Sequence, residues 1–125
     1  MNLQSGTESG DKMNLAGTTR LGHSVSVYVP SQSDGRRIPN RDELLLAVCD
    51  NLTELCGGVT VTEGAGVWKN GLGEHVRESV SIATAFTDSI DDVKAAAVLA
   101  IAVKLKADAT QESVAFQLDG ELYLV

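Results

Sequence analysis

Five side chains in this sequence are of the types that bind a small polar ligand: the carboxylates of Glu78 and Glu112, the carboxamide of Gln111, and the rings of Trp68 and Tyr28. A carboxylate and a carboxamide can take the donors of a sugar or an ammonium group, and an aromatic face can stack on a base or sit against a cation. None of them belongs to a hydrolytic triad. His23 and His75 have no acid or nucleophile at a recognisable spacing and read as surface residues, and no nucleophile elbow or metal-ligand cluster occurs. Neither a metal nor a cofactor is expected.

The stretch "TEGAGVWKNGLGEHVRES", residues 62–79, carries Gly64, Gly66, Gly71 and Gly73 around Trp68. A phosphate-cradling loop needs its glycines to be followed by a helix that turns its N-terminus toward the anion. Here a strand pattern follows, and Lys69 is not followed by Ser or Thr. A β-hairpin explains the stretch better, with a glycine bulge near Gly64 to Gly66 and a turn at Asn70-Gly71, where positive φ is tolerated.

Period and breakers place the rest. In "HSVSVYVP", Val25, Val27 and Val29 alternate with polar neighbours as in a strand, and Pro30 ends it. Asn40 is placed to cap a helix with Asp42 and Glu43 in its first turn, and Leu45, Val48, Leu52 and Leu55 recur at helical spacing as far as Gly57-Gly58. "HVRESVSIATAF" is the returning strand, read with Val76, Val80, Ile82 and Phe86 inward. Ser89 in "SIDD" is placed to cap a second helix that has no Gly or Pro from Val93 to Leu105. "ESVAFQLDGELYLV" closes as a strand with Val114, Phe116 and Leu118 inward, an Asp119-Gly120 turn and a short edge strand.

The order strand, helix, strand, strand, helix, strand is that of an α+β, ferredoxin-like βαββαβ unit, an antiparallel sheet with two helices on one face. The domain is expected over residues 23–125, behind a polar, aperiodic tail over residues 1–22. On the parity just given, the uncovered face is lined by Ser24, Ser26, Thr60, Thr62, Ser79, Ser81, Ala83, Ala85, Ser113 and Ala115. These are all small and uncharged, which suits close packing against another sheet better than contact with water. A sheet-packed homo-oligomer is expected. Glu78 then lies near the sheet's rim while Gln111 and Glu112 open the last strand. Those two strands are not neighbours in this topology, so loop curvature or a second subunit must join the groups.

The 125 residues have a formal net charge of -7, so no basic stripe tracks nucleic acid or an anionic membrane. No apolar run is long enough for a membrane span, and Cys49 and Cys56, seven positions apart on one helix, are too far apart for a disulfide. A cytoplasmic location with reduced thiols is the expectation.

The succession "GVTVTEGAGVW", "VRESVSI" and "QESV", over roughly residues 57 to 118, resembles an uncharacterised family of small bacterial proteins with Gly-x-Gly-x-Trp, Arg-Glu and Gln-x-Ser-Val segments. More distantly it is similar to phage S-adenosylmethionine lyases, trimers of a related fold with active sites between subunits. The resemblance implies a trimer that cleaves S-adenosylmethionine to methylthioadenosine and homoserine lactone, with the substrate's own carboxylate as attacking group. It implies Glu78 and a neighbouring chain's Glu112 as the catalytic carboxylates, with Gln111, also from the neighbouring chain, and Trp68 or Tyr28 binding the ligand. Two other readings stand beside it: a P-II-like module that binds a nucleotide or other small ligand without catalysis, and an acidic module that docks a basic protein.

Overall fold

The computed structural model describes residues 13–125. Of the tail expected over residues 1–22, the first twelve lie outside the described residues, and Met13 to Gly22 are exposed and carry no helix or strand. Seven strands and two helices follow among the described residues: β1 (His23–Pro30), β2 (Gln32–Ser33), β3 (Arg36–Arg37), α1 (Arg41–Cys56), β4 (Thr60–Lys69), β5 (His75–Thr87), α2 (Asp92–Asp108), β6 (Ala115–Leu118) and β7 (Glu121–Leu124). The main sheet is antiparallel, in the order β4-β5-β1-β6-β7, and β2 and β3 form a small separate hairpin. This is the α+β arrangement that the periodicity implies, with both helices packed on one face.

The core lies between that face and the helices. Val25, Val27 and Val29 of β1 are wholly buried against Leu44, Val48 and Leu52 of α1 and Val98, Ala102 and Leu105 of α2, with Phe116 of β6 completing the layer. Leu52 is fully buried, and cutting such a leucine back to alanine costs about 2–5 kcal/mol. α1 stops at Gly57, whose φ of 98° is left-handed and whose N–H reaches Thr53 O at 2.7 Å. No L side chain adopts that conformation readily. Asn40 precedes α1 without capping it through its side chain, and α2 is capped by Asp91 rather than Ser89, the Asp91 carboxylate accepting from the Lys94 N–H at 2.8 Å. The aspartate sits immediately before the first helical residue, where the unpaired amides are, and the serine lies too early in the chain.

The parity expected for β5 is reversed. Ser81, Ala83 and Ala85 pair across with Val29, Val27 and Val25, so they face the helices, and all three are buried. Val76, Val80, Ile82 and Phe86 share the other face with Ser26 and Tyr28 of β1, Thr60 and Thr62 of β4, and Leu122 and Leu124 of β7. Small residues under the helices let the helix axes come close to the sheet, and the large apolar ones are left outside. Phe86 is 56 % exposed. The uncovered face is therefore more apolar than the list of serines and alanines implied.

The 62–79 stretch is a hairpin without a bulge. Gly64 pairs with Val80 and Gly66 with Glu78 in an unbroken ladder from Thr60 to Lys69. The expected Asn70-Gly71 turn is also different: Asn70 Oδ1 accepts from the N–H groups of Leu72 and Glu74 at 2.9 and 3.0 Å, and the left-handed residue is Gly73, φ 81°. Asn70 organises the loop through its side chain, which relieves the backbone of positive φ at its own position. Asp119 (φ 53°) and Gly120 (φ 81°) do form the tight turn into β7. No helix among the described residues is long and apolar enough to cross a membrane.

Candidate functional site

The first element of the site is a turn with no chemistry of its own. After Pro30 ends β1, the chain bends through Ser31 and Gln32 into the β2–β3 hairpin, and its exposed backbone groups need partners. Glu78, on the uncovered face of β5 and half-buried, supplies them: its Oε2 accepts from Ser31 N–H at 3.0 Å, Ser31 Oγ at 3.1 Å and Gln32 N–H at 3.0 Å. Bonds to an ionised acceptor are about twice as strong as neutral ones. Among the described residues, no protein donor bonds the second oxygen, Oε1.

Gln111 reaches the same turn from the other side of the fold. α2 ends where Thr110 takes a left-handed φ of 52°, and the Gln111 N–H closes back on Lys106 O at 3.0 Å. This reversal carries the carboxamide to the hairpin, where Nε2 donates to Gln32 O at 2.7 Å and Ala109 O at 3.2 Å. Ser33 Oγ adds a bond to Thr110 O at 2.7 Å. Gln32 thus joins Glu78 to the Gln111 of the same chain, not to a neighbouring chain's as expected. Loop curvature, one of the two routes the topology leaves open, links them within one chain.

The aromatic residues divide. Trp68 lies on the uncovered face with its ring over Gly66, whose cross-strand partner is Glu78. A Cβ at position 66 would touch the indole at an ordinary contact distance of 3.9 Å, which places the ring beside Glu78. Tyr28 shares the face but pairs with Ile82, four residues along β5 from Glu78, which is about 13 Å. Glu112 is exposed and lines a shallow depression with Val103, Lys106, Ala107, Thr110 and Gln111, and it makes none of the hydrogen bonds described for the turn. The structure therefore brings Glu78 and Gln111 together at the 30–32 turn, places Trp68 over Gly66 on the other side of Glu78, leaves Glu112 beside Gln111 without a bond to the turn, and sets Tyr28 apart.

One polar group escaped the sequence reading. Below the turn, an open cleft of about 850 Å³ runs between the hairpin, the first turn of α1 and the rim of β4 and β5, with Gln32, Arg41, Glu63 and Ser79 among its walls. Arg41 donates from Nε to Pro30 O at 3.4 Å and from Nη2 to the Ser81 hydroxyl, which itself donates to the Glu63 carboxylate at 2.7–2.8 Å. Two signals were available. Arg41 is a cation in the first turn of a helix, against the dipole, and Glu63 falls on the face of β4 occupied by Val61. With β5 read in the wrong parity, Ser81 could not be seen as their bridge.

Elsewhere, His23 is not a solitary surface residue: its Nδ1 lies 2.7 Å from Asp119 Oδ2, and the Ser24 N–H donates to Oδ1 at 3.1 Å. The bond to His23 and then that to the Ser24 amide hold the Asp119 carboxyl below the usual aspartate range. Cys49 and Cys56 are free thiols, both raised chiefly by burial, so neither is poised as a nucleophile.

The whole fold has counterparts among solved structures. Two of them are phage SAM lyases. One, in complex with S-methyl-5'-thioadenosine, superposes with a TM-score of 0.66 at 18 % identity, covering 86 % of this chain and 93 % of that one. A phage SAM lyase in the apo state gives a TM-score of 0.63 at 18 % identity, with 86 % and 94 % covered. At that identity the likeness is one of fold, and it extends over nearly the full length of both chains. No protein-family model matches the sequence, and no curated protein matches it.

Proposed function

We propose that the chain is a small oligomeric lyase that cleaves S-adenosylmethionine to methylthioadenosine and homoserine lactone at sites where subunits meet. The observation that carries this reading is the superposition, over 86 % of the chain, on a phage SAM lyase that holds S-methyl-5'-thioadenosine. The site geometry supports it, because the carboxylate and carboxamide at the 30–32 turn, with the indole over Gly66 beside Glu78, suit a nucleoside better than a phosphate.

The reaction needs little from the protein. An oxygen of the substrate's carboxylate attacks its own γ-carbon, the bond from that carbon to sulfur breaks, and the electron pair stays on sulfur. The lactone and a neutral thioether leave, with no proton or co-reactant required. Charge is annihilated on the way, so an apolar, water-poor wall favours the transition state. Val80, Ile82 and Phe86 of the uncovered face offer such a wall, completed by a second copy. A carboxylate seated on the sulfonium would hold substrate more firmly than transition state, in which the positive charge fades. Glu78 is instead assigned to anchor: Oε2 stays on the turn while Oε1 takes substrate hydroxyl or ammonium donors. Trp68 stacks on the purine, and Gln111 offers its carboxamide oxygen.

Tyr28 and Glu112 enter only across a subunit boundary, Glu112 as a neighbouring chain's carboxylate. The uncovered faces pack together, with a trimer favoured, and Glu78 is the charged side chain they bring with them. The reading is tested by incubating purified protein with S-adenosylmethionine and following methylthioadenosine and homoserine lactone by chromatography. Product formation above the spontaneous rate, lowered tenfold or more in Glu78→Ala, is expected; the spontaneous rate alone would refute it.

A further inference from the structure

Ser81 is a fully buried hydroxyl on the helix-covered face, among Val29, Ala83 and the first turn of α1. A buried hydroxyl is costly unless both its donor and its acceptor capacity are used. Here both are, because it accepts from Arg41 and donates to Glu63. The ion pair that it mediates is otherwise indirect, with Arg41 Nη2 and Glu63 Oε1 3.9 Å apart. The other arm of the guanidinium, Nε, reaches Pro30 O. Pro30 is the residue immediately before Ser31 and Gln32, whose N–H groups are held by Glu78.

The 30–32 turn is therefore gripped at successive backbone groups by three side chains. Arg41 holds the Pro30 carbonyl from the helix-covered side, Glu78 the next two amides from the uncovered side, and Gln111 the Gln32 carbonyl. Arg41 is itself fixed at its far end by Ser81 and Glu63. We infer that Arg41, anchored through Ser81 and Glu63, is a positioning residue that sets the 30–32 turn and so aims Glu78 and Gln111 at the ligand. The inference deepens the lyase reading and rests on it for the ligand, but the positioning itself is a property of the turn.

A fork is required for this work. The guanidinium presents Nε and Nη2 in fixed geometry to two acceptors at once, whereas an ammonium is a single point that serves one of them. A charge-only role would accept lysine in place of arginine; a positioning role would not.

Amide hydrogen exchange at Ser31 and Gln32, measured by NMR with Val27 and Ala83 as reference amides in the central strands, reads the turn without any ligand. In Arg41→Lys and Ser81→Ala, exchange at Ser31 and Gln32 is expected to rise about tenfold, the change that loss of one net hydrogen bond produces, while the reference amides hold. Glu63→Gln, at an exposed carboxylate that folding tolerates, gives a smaller rise of about two- to threefold because the hydroxyl keeps a neutral acceptor. In S-adenosylmethionine cleavage, Arg41→Lys lowers kcat while KM changes less. Unchanged exchange at the turn in all three variants overturns the inference. So does an equal rise at Val27 and Ala83, which would make the network a general stabiliser. Wild-type protein that cleaves no S-adenosylmethionine while the turn loosens as described refutes the lyase reading and leaves the positioning role standing.

Discussion

Glu78 and Gln111 hold the same residue at its two backbone groups: the carboxylate accepts the Gln32 N–H at 3.0 Å, and the carboxamide donates to the Gln32 carbonyl at 2.7 Å. A strand of the sheet's uncovered face and the exit of the second helix are thereby tied to one hairpin. Any ligand that draws on Glu78 also feels the position of Gln111, because each sets the turn that the other grips.

Glu78→Ala removes the acceptor of three hydrogen bonds at a half-buried site and is expected to cost about 2–3 kcal/mol of stability, the range for a buried polar group left without its charged partner. Glu78→Gln keeps an oxygen for the turn and should cost less than half as much. Both should lower methylthioadenosine formation by tenfold or more. Urea midpoints paired with product assays check this, and a Glu78→Gln variant with wild-type turnover would show that the charge is dispensable.

The uncovered face predicts self-association. Ile82 lies mid-strand on β5 between Tyr28 of β1 and Thr62 of β4, with Val80 and Thr84 as its same-face neighbours along the strand. Sedimentation at micromolar concentration should give a mass that is a multiple of 13.1 kDa, and Ile82→Lys should shift it to one copy with the circular dichroism spectrum preserved. A wild-type monomer would remove the basis for sites between subunits.

Acid should weaken the join between β1 and the β6–β7 turn. The Asp119 carboxyl titrates below its ordinary value because His23 and the Ser24 amide bond its charged form. A lowered folded-state value means that the contribution is present above the unfolded value, near pH 4, and is lost as pH falls through the folded one. Asp119→Asn keeps a residue that tolerates the φ of 53° but has no charge to lose. Melting temperatures from pH 6 to pH 2.5 should therefore fall less steeply for Asp119→Asn than for wild type, and parallel curves would contradict the assignment.

Thr110 is a β-branched residue held at φ 52°, where its side chain is strained. Thr110→Gly should stabilise the fold by roughly 1 kcal/mol by removing that strain, less the extra freedom glycine has when unfolded. A rise in melting temperature checks the sign. A fall would mean that the threonine side chain makes a contribution larger than its strain.

Much of the fold was legible in the residues themselves. The alternation of Val25, Val27 and Val29, the helical spacing around Val48 and Leu52, the stop at Gly57 and the Asp119-Gly120 turn are local properties, and each appears where period and breaker put it. The caps and the hairpin loop were only partly legible, because Asp91 and Ser89, or Asn70 and Gly71, are chemically competent for the same task and geometry chooses between them. The candidate site was legible as a set of residue types. Its grouping was not, since Glu78 and Gln111 are joined by a turn at Gln32 that carries no motif.

What the sequence by itself determined is periodicity: which residues of β5 share a face, where each element stops, and that two helices must cover one sheet. Which face of β5 turns toward those helices was decided only when Ala83 paired with Val27, because a period of two is satisfied equally by either orientation. The same choice buried Ser81, brought Arg41 and Glu63 to it, and left Ile82 and Phe86 uncovered. Contacts between residues far apart in the chain make that decision, and no local preference encodes it.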